Sequence, residues 1–232
     1  LDTVDRSTAQ SELQIRHLAW RTESEEDFFG SFVQLTPDLS YPVPIAYKAV
    51  NDPEHVEAIC RADPNLVVAY GCSLIREPLL SHFQGRLLNV HLGLSPYYRG
   101  SGTNFWPLVN KEPEYVGATF MYMDAGIDTG QIIHQIRAQV RPGDTPHQIG
   151  NRLISRMAGT YRALITGFSE LAPQGATTPH AGGKYYKRTD YSAQAVEQLY
   201  ANISQGMLRE YLDDKQARDQ AVPLVKSPNL EA

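Results

Sequence analysis

In the stretch RLLNVHLGLSPYYRGSG, Arg86 to Gly102, Asn89 and His91 stand two residues apart at the end of an apolar run, just before Ser-Pro and Gly break the chain. Residues two apart in a strand project to one face, so the pair forms a small polar platform at a strand end. A second feature, MDAGIDTG (Met123 to Gly130), sets two carboxylates among glycines in a loop. Open α/β sheets hold ligands in loops at the carboxyl ends of their strands, which would let Asp128 meet His91. An amide donor, an imidazole acid/base and a carboxylate beside it suit acyl transfer, as oxyanion donor, proton carrier and electrostatic support. Each residue also has a plain structural use, since a single His can finish a strand and an Asp among glycines forms turns.

The elements that must position these residues read as an α/β protein. IAYKAV (45–50), NLVVAYGC (65–72) and RLLNVHLG (86–93) look like strands, separated by helical segments at 52–64 and 76–85. This alternation of buried-type strands with helices predicts a Rossmann-like, mostly parallel sheet with helices on both faces. GTNFWPLVNKEPE then reads as helix and turn, and YVGATFMYMDAG and QIIHQIRAQV as two strands around the Asp loop. Residues 144–168 form the clearest helix. Thr145 and Gln148 make a capping box around Pro146, and Ile149, Leu153, Ile154, Met157, Tyr161, Leu164 and Ile165 form its apolar stripe. Residues 1–30 have a helical tendency with a solvated acidic run, and residues 171–190 a loop leading to a short hairpin-like piece. A second helix is expected over Ala193 to Leu212, and a poorly anchored tail from Lys215 onward. The expected division is an N-terminal segment (1–44), a core (45–170) and a C-terminal extension (171–232).

Composition narrows the function. The 232 residues carry 21 basic and 26 acidic side chains, a net charge of −5, which is the wrong sign for a protein built chiefly to grip nucleic acid. Cys60 and Cys72 have neither metal-like nor redox-motif spacing, so no zinc site or disulfide framework is expected and a reducing, cytoplasmic setting fits. No apolar run has the length of a membrane span. The chain begins at Leu1 rather than Met, as a processed or cut chain would.

In order and spacing, LLNVHLGLSPYYRG followed by VGATFMYMDAGIDTGQIIHQ resembles the formyltransferases that use 10-formyltetrahydrofolate, a group including glycinamide ribonucleotide, methionyl-tRNA and amino-sugar enzymes. The resemblance extends from about Asn65 to Phe168. It implies Asn89, His91 and Asp128 as the catalytic trio, with Thr119 as a hydroxyl hydrogen-bonding within the site. It also implies 10-formyltetrahydrofolate as formyl donor, a tetrahedral intermediate and no metal. The pterin pocket is implied at Cys72, Ser73, Leu74, Ile75 and Leu80, together with Asp124, Ala125, Gly126 and Ile127. Leu74, Ile75 and Leu80 serve equally well as core. Asp124 is assigned to holding the turn, and Ser95-Pro96 is expected to be cis.

Two departures stand out: Ser95 replaces the family's usual Leu before the loop proline, and the first strand-loop-helix unit, part of the acceptor site, is not recognisable in residues 1–44. The expected acceptor is a small-molecule amine of sugar-nucleotide or ribonucleotide type, ahead of nucleic acid. KYYKR (Lys184 to Arg188) is the only basic-aromatic cluster that speaks for RNA. A homo-oligomer is left open. Rival expectations are a hydrolase that delivers the formyl group to water and a non-catalytic folate- or nucleotide-binding module.

Overall fold

The structure is a computed structural model that describes residues 11–171 and 183–230. In chain order the elements are α1 (Glu12–Leu35), α2 (Pro53–Ala62), β1 (Val67–Ala69), α3 (Leu79–His82), β2 (Leu87–His91), β3 (Tyr98–Gly100) and α4 (Trp106–Val109). Next come β4 (Gly117–Tyr122), β5 (Ile132–Arg137), α5 (Pro146–Thr166), β6 (Lys184–Tyr186), α6 (Ala193–Ser204), α7 (Met207–Asp213) and α8 (Lys215–Ala221).

Four strands form the central sheet in the order β1-β2-β4-β5. Only β1 and β2 run parallel; β4 is antiparallel to β2 and to β5, so the expected mostly parallel sheet is corrected to a mixed one. Strands buried on both faces, as β4 and β5 are, show the same near-continuous apolar runs whichever way they point. The short Asp loop between them returns the chain directly beside itself, which only an antiparallel pair allows.

The two faces of β2 go to separate cores. Leu88 and Val90 join Phe120, Ile133 and the stripe of α5, where Ile149, Leu153, Met157 and Leu164 are buried while Ile165 stays exposed. Leu87 turns the other way, into a smaller cluster with Leu79 and Phe83 of the α3 segment and Val56 and Ile59 of α2. The capping box of α5 is formed as expected: the Gln148 N–H donates to Thr145 Oγ1 at 3.2 Å, and the Thr145 N–H to Gln148 Oε1 at 2.9 Å.

Other expectations change. IAYKAV is no strand but irregular chain entering a short 3-10 turn, Ala49–Asn51. The helix expected over 76–85 shrinks to the single turn of α3, and the second C-terminal helix breaks at Gly206, whose φ of 93° suits a residue without Cβ, into α6 and α7. The β6 segment forms no hairpin; it pairs in parallel with β3. The loop before it, residues 172–182, lies outside the described residues, as do residues 1–10. The tail is anchored rather than loose, because β5 is the sheet's edge and its free backbone groups need partners. Gln135 N donates to the Val225 carbonyl at 2.8 Å, and Ser227 N to His134 Nδ1 at 3.0 Å.

Helix α1 buries polar residues. Ser11 caps it by accepting from Gln14 N, and Gln14 and His17, not its apolar neighbours, are the buried positions. The helix is tied across long sequence distances. Asn151 Nδ2 donates to the Ser24 carbonyl at 2.9 Å, and His17 Nδ1 meets the Tyr200 hydroxyl at 2.9 Å.

Candidate functional site

Strand β2 ends in the register Asn89↔Met121 and His91↔Thr119, and Thr119 in turn faces Gln135 on β5. The platform is therefore backed by two further strands. Thr119 is wholly buried, and its hydroxyl serves three partners: it accepts from Ser95 N and Gln135 Nε2, each at 3.0 Å, and donates to the Gly93 carbonyl at 2.7 Å. Gln135 Nε2 also donates to the Ser95 carbonyl at 2.7 Å. Together these fix the loop that leaves His91, with the Ser95-Pro96 peptide in the cis form. A buried hydroxyl with all its capacity used positions backbone and does not touch a substrate.

His91 is held on both ring nitrogens. Nδ1 lies 3.2 Å from Asp128 Oδ1 and Nε2 lies 3.2 Å from the Tyr98 carbonyl. Both partners are acceptors, and only an imidazolium donates to both at once. The other Asp128 oxygen accepts from the Gly100 N–H at 2.9 Å. Tyr98 and Gly100 are the two ends of β3, so one short strand grips both members of the pair. Asp128 adopts φ 54°, the left-handed region that Asp tolerates better than most residues. Asp124 instead accepts from Gly126 N and Thr129 Oγ1 at 3.0 and 2.8 Å, as a turn holder does. Gly93 and Gly100 admit no side chain. A Cβ on the first would strike His91 Nε2, and on the second the Tyr186 carbonyl.

The β3 grip depends on β6. Ser101 N donates to the Tyr186 carbonyl at 2.9 Å, the Tyr186 ring stacks on Trp106 with centroids 4.1 Å apart, and Asn110 Nδ2 donates to the Tyr186 hydroxyl at 2.9 Å. Lys184 pairs with Glu112. Lys184 and Tyr186 of KYYKR thus help to hold β3, while Lys187 and Arg188 are exposed.

Asn89, His91 and Asp128 line a cavity of about 850 Å³. Cys72, Ser73, Leu74, Ile75, Asp124, Gly126 and Ile127 line it too, whereas Ala125 does not and Leu80 packs in the α2–α3 cluster. Leu80 is therefore core, not pocket. Leu74 and Ile127 keep 52% and 39% of their surface exposed, enough apolar wall for a flat, poorly charged ligand ring. Asn51 braces that wall: its Nδ2 donates to the Leu74 carbonyl at 2.7 Å and its Oδ1 accepts from Arg76 N at 2.8 Å.

The opposite wall had no signal in the sequence. It comes from α1 and the start of α5: His17, Arg21, Glu25, His147 and Asn151. Burial, then the neighbouring His147 and Arg21 charges, hold His17 down at about 3. Burial and Arg21 hold His147 at about 4. Both rings are neutral at pH 7, and His147 Nε2 is buried without a hydrogen-bond partner. Arg21 Nε meets Glu25 at 2.7 Å. Among the described residues no three His, Cys, Asp or Glu side chains gather to hold a metal, and no helix is long and apolar enough to cross a membrane.

The chain is 43% identical over 90 residues to methionyl-tRNA formyltransferase of Desulforamulus reducens, covering 39% of this chain and 28% of that protein. It is 32% identical over 149 residues to the Acetivibrio thermocellus methionyl-tRNA formyltransferase, covering 63% of this chain and 47% of that one. It therefore spans less than half the length of these relatives. The fold is shared with a 4-N formyltransferase from Francisella tularensis, at TM-score 0.53 and 20% identity over 77% of this chain and 72% of that chain. Residues 22–163, well over half of the chain, match the model described as formyl transferase, and the chain belongs to that family.

Proposed function

We propose that the chain transfers a formyl group from 10-formyltetrahydrofolate to a primary amine. The observation that carries this reading is the His91–Asp128 pair, fixed at 3.2 Å beside Asn89 on the wall of a cavity large enough for a folate head group. The donor's ring system suits the apolar wall of Leu74, Ile75 and Ile127, with the loop at Asp124 and Gly126 offering backbone polar groups. In names, the relatives are methionyl-tRNA enzymes, so methionyl-tRNA stands beside sugar-nucleotide and ribonucleotide amines as an acceptor class.

Each residue has a part consistent with its surroundings. As the amine attacks the formyl carbon, negative charge grows on the formyl oxygen. The Asn89 amide, on the cavity wall, donates to it, and the nearby His91 imidazolium lowers its energy by charge. Asp128, whose side chain is 12% exposed, takes the proton leaving the amine, directly or through a water; as the tetrahedral intermediate collapses, the bond between the formyl carbon and N10 breaks and that proton passes to N10 of the departing tetrahydrofolate. Tyr98 and Gly100 hold the pair in place.

Isotopically labelled formyl donor tests this. With methionyl-tRNA and a panel of amino-sugar nucleotides and aminated ribonucleotides as acceptors, label should appear in an amide product. Label appearing only as formate, at the same rate with and without every amine, would identify a hydrolase instead; folate binding without turnover would identify a binding module.

A further inference from the structure

A second cavity, of about 680 Å³, opens between the end of β5, the early turns of α5 and helix α8. Arg137, Arg152, Arg156, Lys215 and Lys226 line it, against a single lining carboxylate, Asp219. Asp219 is shared already: Arg137 Nη1 lies 3.4 Å away and the Lys215 ammonium also pairs with it. Arg152 pairs with Asp144. Arg156 is exposed and spends one N–H on the uncharged Arg137 carbonyl at 3.2 Å. Five cations thus converge around a single lining carboxylate among the described residues, in a chain whose net charge is −5. Their mutual repulsion falls when an anion enters. His134 registers the same field. It is held down at about 4 first by burial and then by the charges of Lys226 and Arg156.

We propose that this cavity binds the phosphate groups of a nucleotide or RNA, with Arg152, Arg156 and Lys226 facing the phosphates. Guanidinium groups match phosphate oxygens in planar, charge-assisted pairs, and the half-exposed Phe28 ring on the same wall offers a face for a base. The position adds meaning. Phe28 packs edge-on against Phe29 at 4.9 Å, and Phe29 lines the formyl cavity, so neighbouring residues of α1 face the two cavities. Resting on the formyl-transfer reading, the phosphates are those of an elongated acceptor whose amine reaches the formyl cavity.

The test is binding, independent of turnover. The 232-residue chain is titrated with inorganic pyrophosphate, ADP and tRNA at low and moderate salt, beside the exposed-site variants Arg156→Gln and Arg156→Glu and the variant Lys226→Gln. Pyrophosphate should bind saturably, ~10-fold more weakly in Arg156→Gln and weaker still in Arg156→Glu, with affinity falling as salt rises. Affinity for 5-formyltetrahydrofolate should stay unchanged in every variant; its absence in the parent would overturn the formyl-transfer reading and leave the phosphate site standing. A matching loss of tRNA affinity assigns the phosphates to RNA; retained tRNA affinity with lost ADP binding assigns them to a free nucleotide. No saturable binding of any of the three probes, or equal affinities in parent and both Arg156 variants, overturns the proposal.

Discussion

Two of the walls of the cavity at His91 are built on opposite plans. On the β2–β4 side most polar groups are already committed: both nitrogens of His91, both oxygens of Asp128 and the whole capacity of Thr119 are engaged within the protein. On the side of residues 72–75 the chain is loop, its side chains face the cavity, and the Asn51 side chain ties the Leu74 carbonyl and Arg76 N back to the body. A group that must act on charge in a transition state gains from being fixed beforehand, because no reorganisation is then needed at the moment of reaction. A wall that must admit and release a substrate gains from the reverse. The fixed wall should therefore govern turnover, and the open wall should govern affinity for the donor.

The largest effects should come from the fixed wall. Asn89→Ala and His91→Ala are each expected to lower formyl transfer ~10²–10³-fold, with donor affinity changed by no more than a few-fold. Steady-state kinetics beside a folate titration would show it, and near-parent turnover in either variant would break the contrast. Thr119→Val comes next. It keeps the shape but strands Ser95 N and the Gly93 carbonyl and leaves Gln135 Nε2 with the Ser95 carbonyl alone, at a cost of about 3 kcal/mol in stability and ~10-fold in turnover. Denaturant melts and kinetics read the two separately. On the open wall, Asn51→Ala should raise the donor KM by ~3–10-fold, about one hydrogen bond's worth, and leave kcat unchanged. A fall in kcat without a change in KM would mean that the two walls do not divide the work this way.

A smaller effect concerns the α1 wall and acid. His17 and His147 are held below the ordinary imidazole value of 6.5, at about 3 and about 4. The unfolded chain therefore binds more protons than the folded one between roughly pH 6.5 and these values, and stability falls as pH drops through that window. Thermal melts from pH 7 to pH 4 should show this slope, shallower in His17→Gln. An identical slope in parent and variant would mean that His17 is not the neutral, buried ring described.

The parts of the site legible in the sequence were those written in local spacing. Asn89 and His91 share a face because strands alternate, and the glycines around Asp124 and Asp128 announce a loop. The capping box of Thr145 and Gln148 marks where α5 starts. What stayed hidden rests on distant pairing. Nothing near Ser24 says that Asn151 will bond to it, and nothing in the tail says that the free edge of β5 will take up Val225. The direction of β4 was hidden because its residues are apolar on both faces. Leu80 was misplaced because an apolar residue near a pocket and one in a core look alike in sequence. KYYKR read as basic and aromatic, yet its partners, Glu112 and Trp106, lie over 70 residues away and turn it into the strap behind β3.

The most direct test of the account is Asp128→Asn, with turnover and donor affinity measured on the same preparation. Asn tolerates the left-handed backbone at this position and its oxygen can still accept from Gly100 N, so the substitution removes the charge and little else. Its amide N–H would face His91 Nδ1 where the carboxylate oxygen stood. The account predicts turnover reduced ~10²–10³-fold with 5-formyltetrahydrofolate affinity within a few-fold of the parent. Turnover close to the parent's, with the fold intact, would contradict it.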